Sequence, residues 1–256
     1  MIDPRAIIAP DAMLGEGVEV GAYTIIGAGV RIGAGSWIGP HAVINGPTTL
    51  GLENKVFQFA SIGDAPQDKK YRGEPTRLEV GDRNVFREFC SVNRGTASGR
   101  GVTKIGDENL FMAYSHVAHD CIVGSNCVMS NCTALAGHVE LGDWVILSGY
   151  AGIHQFCKVG SHSFLANNAA VTRDVPPYLL VAGTPAEPRG VNSEGLKRRG
   201  FGPEQIANIR NAYRLLYRSG LKLAAATEQL QALAADQPEL LPFVQFLAAS
   251  ERSIIR

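Results

Sequence analysis

The 256-residue sequence predicts a mainly β chain: a parallel β-helix of hexapeptide repeats followed by a small all-α C-terminal domain. Two observations carry this prediction. Large apolar residues recur at six-residue intervals, in three runs, between Ile2 and Val171, and beyond a proline-rich connection the apolar spacing becomes helical. The 29 glycines, without collagen-like spacing, suit a chain that turns this often.

The beat runs from Ile2 through Ile8, Leu14, Val20 and Ile26 to Ile62, resumes at Val80, Phe86 and Val92, and continues from Ile105 through Val117 and Leu135 to Val171. All 26 positions are large and apolar, and glycine follows 12 of them. At 45% apolar content, chance would give such a run roughly once in a billion trials. Alternate residues of a strand face opposite sides, so one large residue per hexad points into a core. The position four further on is small or β-branched, as in Ala12, Val18 and Thr24 and, later, Cys121, Cys127 and Cys157. Glycine and occasional asparagine are expected to supply the turns between strands. A single hexad cannot bury its face alone, so the units must stack. The pattern resembles the hexapeptide-repeat acyltransferase superfamily, and the resemblance implies a left-handed parallel β-helix with three hexads per coil.

Two stretches lose the beat. Residues 63–79, with Pro66 and Pro75, and residues 93–104 are read as external loops, where binding groups usually sit. After "DVPPYLLVAGTPAEPRG", Pro203 opens a helix with Ile206, Ile209, Tyr213 and Leu216 at helical spacing. Two further helices are expected in "LKLAAATEQLQALAADQ" and "PELLPFVQFLAASERS". The predicted domains are a β-helix over 1–190 and a helical domain over 191–256.

Composition narrows the function. With 24 basic and 24 acidic residues the net charge is zero, which argues against wholesale nucleic-acid or membrane binding. No run approaches the roughly 18 apolar residues of a membrane span. No signal peptide is evident, and five cysteines suit reduced thiols, so a cytoplasmic protein is expected.

The chemistry concentrates in "YSHVAHDC", residues 114–121. In a three-hexad coil, residues one coil apart stack about 4.8 Å from each other. Gly137 and then Gln155 rise above His119, and His138 rises above Asp120. His116, His119, Asp120, His138, His154 and Gln155 are therefore expected on one patch, whereas His41 and His162 read as ordinary surface residues. A neutral histidine with a carboxylate partner suits deprotonation of a hydroxyl. Gly137 has no side chain to block its N–H, which could then donate to an oxyanion. A metal site is not expected. Some relatives bind zinc through histidines spaced H-x-x-x-x-H, unlike "HVAH", and Cys121 and Cys127 occupy inward positions.

The strings "HVAHDC", "ALAGHV", "HQFC", "DVPPY", "PQDKKYRGEPTRLEVGDRN" and "VNSEGLKRRGF" are together similar to the UDP-N-acetylglucosamine 3-O-acyltransferase family, over nearly the whole chain. The resemblance implies transfer of an (R)-3-hydroxyacyl group from acyl carrier protein to the glucosamine 3-hydroxyl of UDP-N-acetylglucosamine, the first step of lipid A biosynthesis. It implies a homotrimer with sites between subunits, and no cofactor beyond the carrier's phosphopantetheine. On this resemblance His119 is the general base, Asp120 its partner and Gly137 the oxyanion donor. Gln67, Asp68, Lys70, His116, His138, His154 and Gln155 contact sugar and acyl chain; Asn192, Glu194, Arg198 and Arg199 serve the nucleotide; Asn167 sets acyl length. Asn93 stands where many relatives carry histidine. Asn167 belongs to another face of the prism from His119, so the two share a cleft only across a subunit boundary.

Three alternatives stay open. One is an acyltransferase of the same superfamily, using coenzyme A or a carrier protein, that acts on another sugar nucleotide such as a 3-amino sugar. The sibling N-acyltransferase needs a uridine-binding domain ahead of hexads that here begin at Ile2. A non-catalytic scaffold leaves the loops and the histidine cluster unexplained.

Overall fold

The computed structural model describes residues 1–256, in which the hexads wind into a left-handed parallel β-helix, a prism with three sheets of nine, eight and ten strands. Residues one coil apart pair in parallel: Ile25 pairs with Ile7 below and Val43 above, and Val128 with Leu110 and Ile146. From Val20 to Val171 every residue on the six-residue beat is buried. Full burial of such a side chain contributes about 1.5–3 kcal/mol. Ile2, Ile8 and Leu14 are less covered because no coil lies beneath the first one.

The strands reach further into both external loops than the apolar beat suggests. Ser61–Asp64 and Arg77–Val80 leave 65–76 outside, and Ser91–Asn93 and Val102–Ile105 leave 94–101 outside. Leu78 and Val102 miss the beat but are buried, and backbone pairing of Arg77 with Val102 and Leu78 with Thr103 carries the ladder past them.

The turn chemistry differs from the expectation that glycine and asparagine supply it. At most corners the left-handed residue is a larger one, including Tyr23, Phe59, Phe89, Tyr114, Asp120, His138, Trp144, Phe156 and His162, with φ between 60° and 65°. Such residues cost about 1–2 kcal/mol in this conformation. The cost is offset because most corner N–H groups reach an acceptor one coil below, as His138 does to the His119 carbonyl, Trp144 to the Ser125 carbonyl and Asp120 to the Thr103 hydroxyl, and because the side chains stack. The glycine after the core residue has a different reason. A Cβ on Gly15 would sit 2.6 Å from Ala34 N, and one on Gly142 would sit 2.7 Å from Ser161 N. Close approach of the next coil demands these glycines.

An antiparallel hairpin, Leu179–Ala182 with Glu187–Val191, closes the prism. Four helices follow: α1 Ser193–Arg198, α2 Pro203–Arg218, α3 Leu223–Ala234 and α4 Leu241–Ala249. Pro203 opens α2, and Ile206, Ile209, Tyr213 and Leu216 form its buried face. The short α1, within the string "VNSEGLKRR", has no apolar periodicity to announce it. Asn192 caps it by accepting from the Gly195 N–H at 3.2 Å.

His162 is not the ordinary surface residue the sequence suggested. Its ring stacks between Trp144 (6.4 Å, 4°) and Tyr178 (5.6 Å, 14°), with Phe201 edge-on at 5.2 Å. The Arg199 guanidinium lies 5.1 Å over Trp144, with Nη1 3.3 Å from His162 Nδ1. Burial, reinforced by the Arg199 charge, pushes the imidazole down to about 4. His41 is exposed, as expected, but is sandwiched in a row with Tyr23 and Phe59.

The folded pKa of His162 lies below its unfolded value near 6.5, so the unfolded chain binds the proton first as pH falls. Stability is therefore complete above about 6.5 and declines toward 4. The melting temperature of the unaltered protein should fall more between about pH 6.5 and about pH 4.5 than that of His162→Phe, which stacks but cannot be protonated. Parallel declines in thermal melts of the two would show that His162 does not bear the proton.

Candidate active site

His116 opens the strand His116–Val117 and pairs with Ala134 one coil above; two residues after Val117 the chain turns the corner at His119 and Asp120. Along a straight strand these neighbours would face opposite ways. The left-handed conformation of Asp120, at φ 60°, brings both side chains to one corner.

Asp120 is fully buried and His119 keeps 18% of its side-chain surface. His119 Nδ1 lies 2.8 Å from Asp120 Oδ2. The same carboxylate accepts from Thr96 Oγ1 at 2.7 Å, from the Thr96 N–H at 3.1 Å and from the Arg100 N–H at 2.8 Å. Burial alone would raise the carboxyl, but hydrogen bonds from His119 and Thr96 outweigh it and hold the group down to about 2. Asp120 is therefore an anion, Nδ1 of His119 carries the proton it donates, and the lone pair is left on Nε2. That nitrogen has no partner within the chain and faces a groove.

Gly137 stacks directly on this ring. A Cβ there would stand 2.6 Å from His119 Cε1 and 2.8 Å from Nε2. Its N–H has no acceptor in the chain. At the equivalent place on another corner, side chains take these donors: Leu52 N–H goes to Asp82, Asp82 N–H to Asp107, and Ser125 N–H to Asp143. Above Gly137 stands Gln155, which accepts nothing from it.

The six-residue patch expected from the sequence divides around the corner. His116, His119, Gly137, His154 and Gln67 line one groove with apolar walls from Ala118 and Ile153. His138 and Gln155 face a second, polar groove with Arg100, Glu140, Lys158 and Arg252. His138 stacks on Phe156 at 4.4 Å and meets His119 edge-on at 5.2 Å. Burial lowers its pKa, against the pull of Asp120, and burial together with the His119 charge lowers that of His116. His116 Nδ1 is 2.7 Å from Ser91 Oγ, a partner the hexad pattern did not mark.

Asp68 and Lys70 line a small cleft where the 65–76 loop meets Thr96 and Ser98. Asn93 is buried beneath, its Nδ2 donating to the Ala65 carbonyl at 3.0 Å while its Oδ1 has no partner. Asn167 is exposed on a second corner. Asn192 donates to the His162 carbonyl on the third corner, beside Arg199, while Glu194 pairs with Lys197 and Arg198 is exposed. One chain thus does not bring Asn167, Asn192, Glu194, Arg198 or Arg199 to His119.

His119, Asp120 and His138 place three potential metal ligands within 4.8 Å of one another. Five hydrogen-bonding contacts from His119, Thr96 and Arg100 already fill the carboxylate, so the set does not suit a cation. Cys121 and Cys127 lie in the core, where burial pushes both thiols up to about 12.

A family model described as Udp N-acetylglucosamine O-acyltransferase, Domain 2, matches residues 174–255, and one for bacterial transferase hexapeptide repeats matches 1–34 and 103–137. The solved UDP-N-acetylglucosamine acyltransferase of Francisella novicida is 40% identical, with TM-score 0.98 over 100% of this chain and 94% of that one. The chain belongs to the UDP-N-acetylglucosamine acyltransferase family. The Moraxella catarrhalis enzyme agrees at 39% identity and TM-score 0.98, covering 100% of this chain and 99% of its own. A more distant UDP-N-acetylglucosamine acyltransferase, from Arabidopsis, is 33% identical with TM-score 0.84, over 100% of this chain and 99% of that one. The protein is an acyltransferase, and the histidine corner is its candidate active site.

Gly137→Ala tests the corner. The added methyl must displace the imidazole, so kcat should fall by at least about a hundredfold while the thermal melt stays near that of the unaltered protein. A near-normal kcat would show that the ring does not need this contact.

Proposed function

We propose that the chain transfers an (R)-3-hydroxyacyl group from acyl carrier protein to the 3-hydroxyl of the glucosamine in UDP-N-acetylglucosamine, opening lipid A biosynthesis. The observation that carries the mechanism is the orientation of His119: Nδ1 bound to the buried Asp120 anion, Nε2 directed at the groove. Family membership supplies the substrates.

In this reading Nε2 takes the proton of the 3-hydroxyl as its oxygen attacks the thioester carbonyl. Asp120 stabilises the imidazolium that results. The carbonyl oxygen, now negative, accepts from the free Gly137 N–H. Collapse of the tetrahedral intermediate restores the carbonyl and breaks the carbon–sulfur bond. The departing phosphopantetheine thiolate takes the proton from Nε2, which leaves His119 neutral for the next turnover. No step requires a metal.

A homotrimer supports this arrangement, since the groups implied for nucleotide binding and acyl length stand on other corners from His119. An exposed row of aromatic rings, Tyr23, Phe59, Phe89, Tyr114 and Tyr150, runs up the corner that bears Asn167. Such a row offers a second copy an apolar surface. No helix is long and apolar enough to cross a membrane, and a cytoplasmic site of action fits a carrier-protein donor.

Thin-layer analysis of labelled UDP-N-acetylglucosamine incubated with 3-hydroxyacyl carrier protein tests the reaction. His119→Ala should lose at least about a hundredfold in rate with the fold intact; retention of a third of the rate would remove the histidine from the mechanism. Prolonged EDTA treatment should leave activity unchanged. Loss on chelation, restored by zinc, would return His116, His119 and His138 to a metal role.

A further inference from the structure

We propose that Thr96, in the 94–101 loop, is a positioning residue for the His119–Asp120 pair: its hydroxyl fixes which carboxylate oxygen the histidine meets and limits how strongly that oxygen holds the Nδ1 proton. This rests on the general-base reading and extends it to a residue that itself needs no contact with substrate.

Thr96 Oγ1 is 2.7 Å from Asp120 Oδ2, the oxygen that also accepts from His119 Nδ1 at 2.8 Å. Thr96 is 3% exposed, so water does not compete for its hydroxyl. The Arg100 N–H, at 2.8 Å, holds the other oxygen, Oδ1. The loop is built to come this close: a Cβ on Gly99 would stand 2.5 Å from the Asp120 carboxylate. Oδ2 therefore divides its charge among three donors, the third being the Thr96 N–H at 3.1 Å. The Thr96 hydroxyl weakens that oxygen's pull on the histidine proton. It also keeps the carboxylate from turning to His138, whose Nε2 is 3.8 Å from the same oxygen.

The charged and titratable groups facing Asp120 are few. His119 comes from the same turn and His138 from the coil above. Arg100 comes from the loop, its guanidinium occupied by the Asp120 carbonyl and the Glu140 carboxylate. His116 and Asp68 act at longer range, through His119 and His138 respectively. None of these groups can take the place of the Thr96 hydroxyl.

The test is the pH profile of kcat/KM for Thr96→Val and Thr96→Ser in the full chain, with UDP-N-acetylglucosamine and 3-hydroxyacyl carrier protein. Thr96→Val should lower kcat about tenfold at neutral pH, with KM for the sugar nucleotide changed less than about twofold. Its acidic limb should move up by about half a pH unit or more, because Oδ2 regains charge and raises the histidine pKa. Thr96→Ser should restore rate and limb together. Thr96→Val should add nothing in an Asp120→Ala background. Thr96→Ala repeats the comparison if the valine methyl disturbs the corner. Unaltered kcat with an unmoved limb would overturn the proposal, as would an equal loss without Asp120. Failure of the general-base reading shows separately, as an active His119→Ala.

Discussion

Everything in this protein depends on one spacing, the few ångströms between successive coils of the prism. Parallel backbone ladders hold coil to coil, and the large apolar residue of each hexad fills the space they enclose. That spacing dictates where glycine must stand, because the backbone above leaves no room for a methyl at Gly15 or Gly142. It also determines which side chains can meet across coils. His119 lies against Gly137 for the same geometric reason that Gly15 lies against Ala34.

The histidine corner uses this regularity and then departs from it. A rigid corner places a histidine, an aspartate and a bare backbone N–H where ordinary repeats place solvated side chains and capped donors. The departure is the 94–101 loop, which folds back over the corner and saturates the carboxylate that the repeat alone would leave half-satisfied. A buried anion is costly unless its hydrogen bonds are complete. Completeness here comes from a segment with no repeat character at all. Rigid coils supply position, and an irregular loop supplies the electrostatic environment.

The sequence disclosed what repeats and missed what does not. Ile26, Val117 and Leu147 are legible because each hexad states the same thing again. The stacking of His119, Gly137 and Gln155 follows from coil arithmetic once three hexads make a coil. Thr96, Arg100 and Asn93 were not legible as partners, because a loop's path is set by contacts far apart in the chain and carries no period. His162 was misjudged for a related reason: its partners Tyr178, Arg199 and Phe201 lie after the repeat ends. The division of the histidine patch also escaped the pattern, since coil arithmetic gives height along the prism but not which side of a corner a ring turns to.

The fixed coil length has a consequence for how this gene can change. Partners across coils are 18 residues apart except where the two loops intervene, at separations of 30 and 25. A codon gained or lost within a coil would rotate every later hexad and turn core residues such as Met129 outward. Length variation between copies of this gene in different lineages must therefore collect in 65–76, in 94–101 and after the prism closes, while the coils themselves diverge by substitution alone.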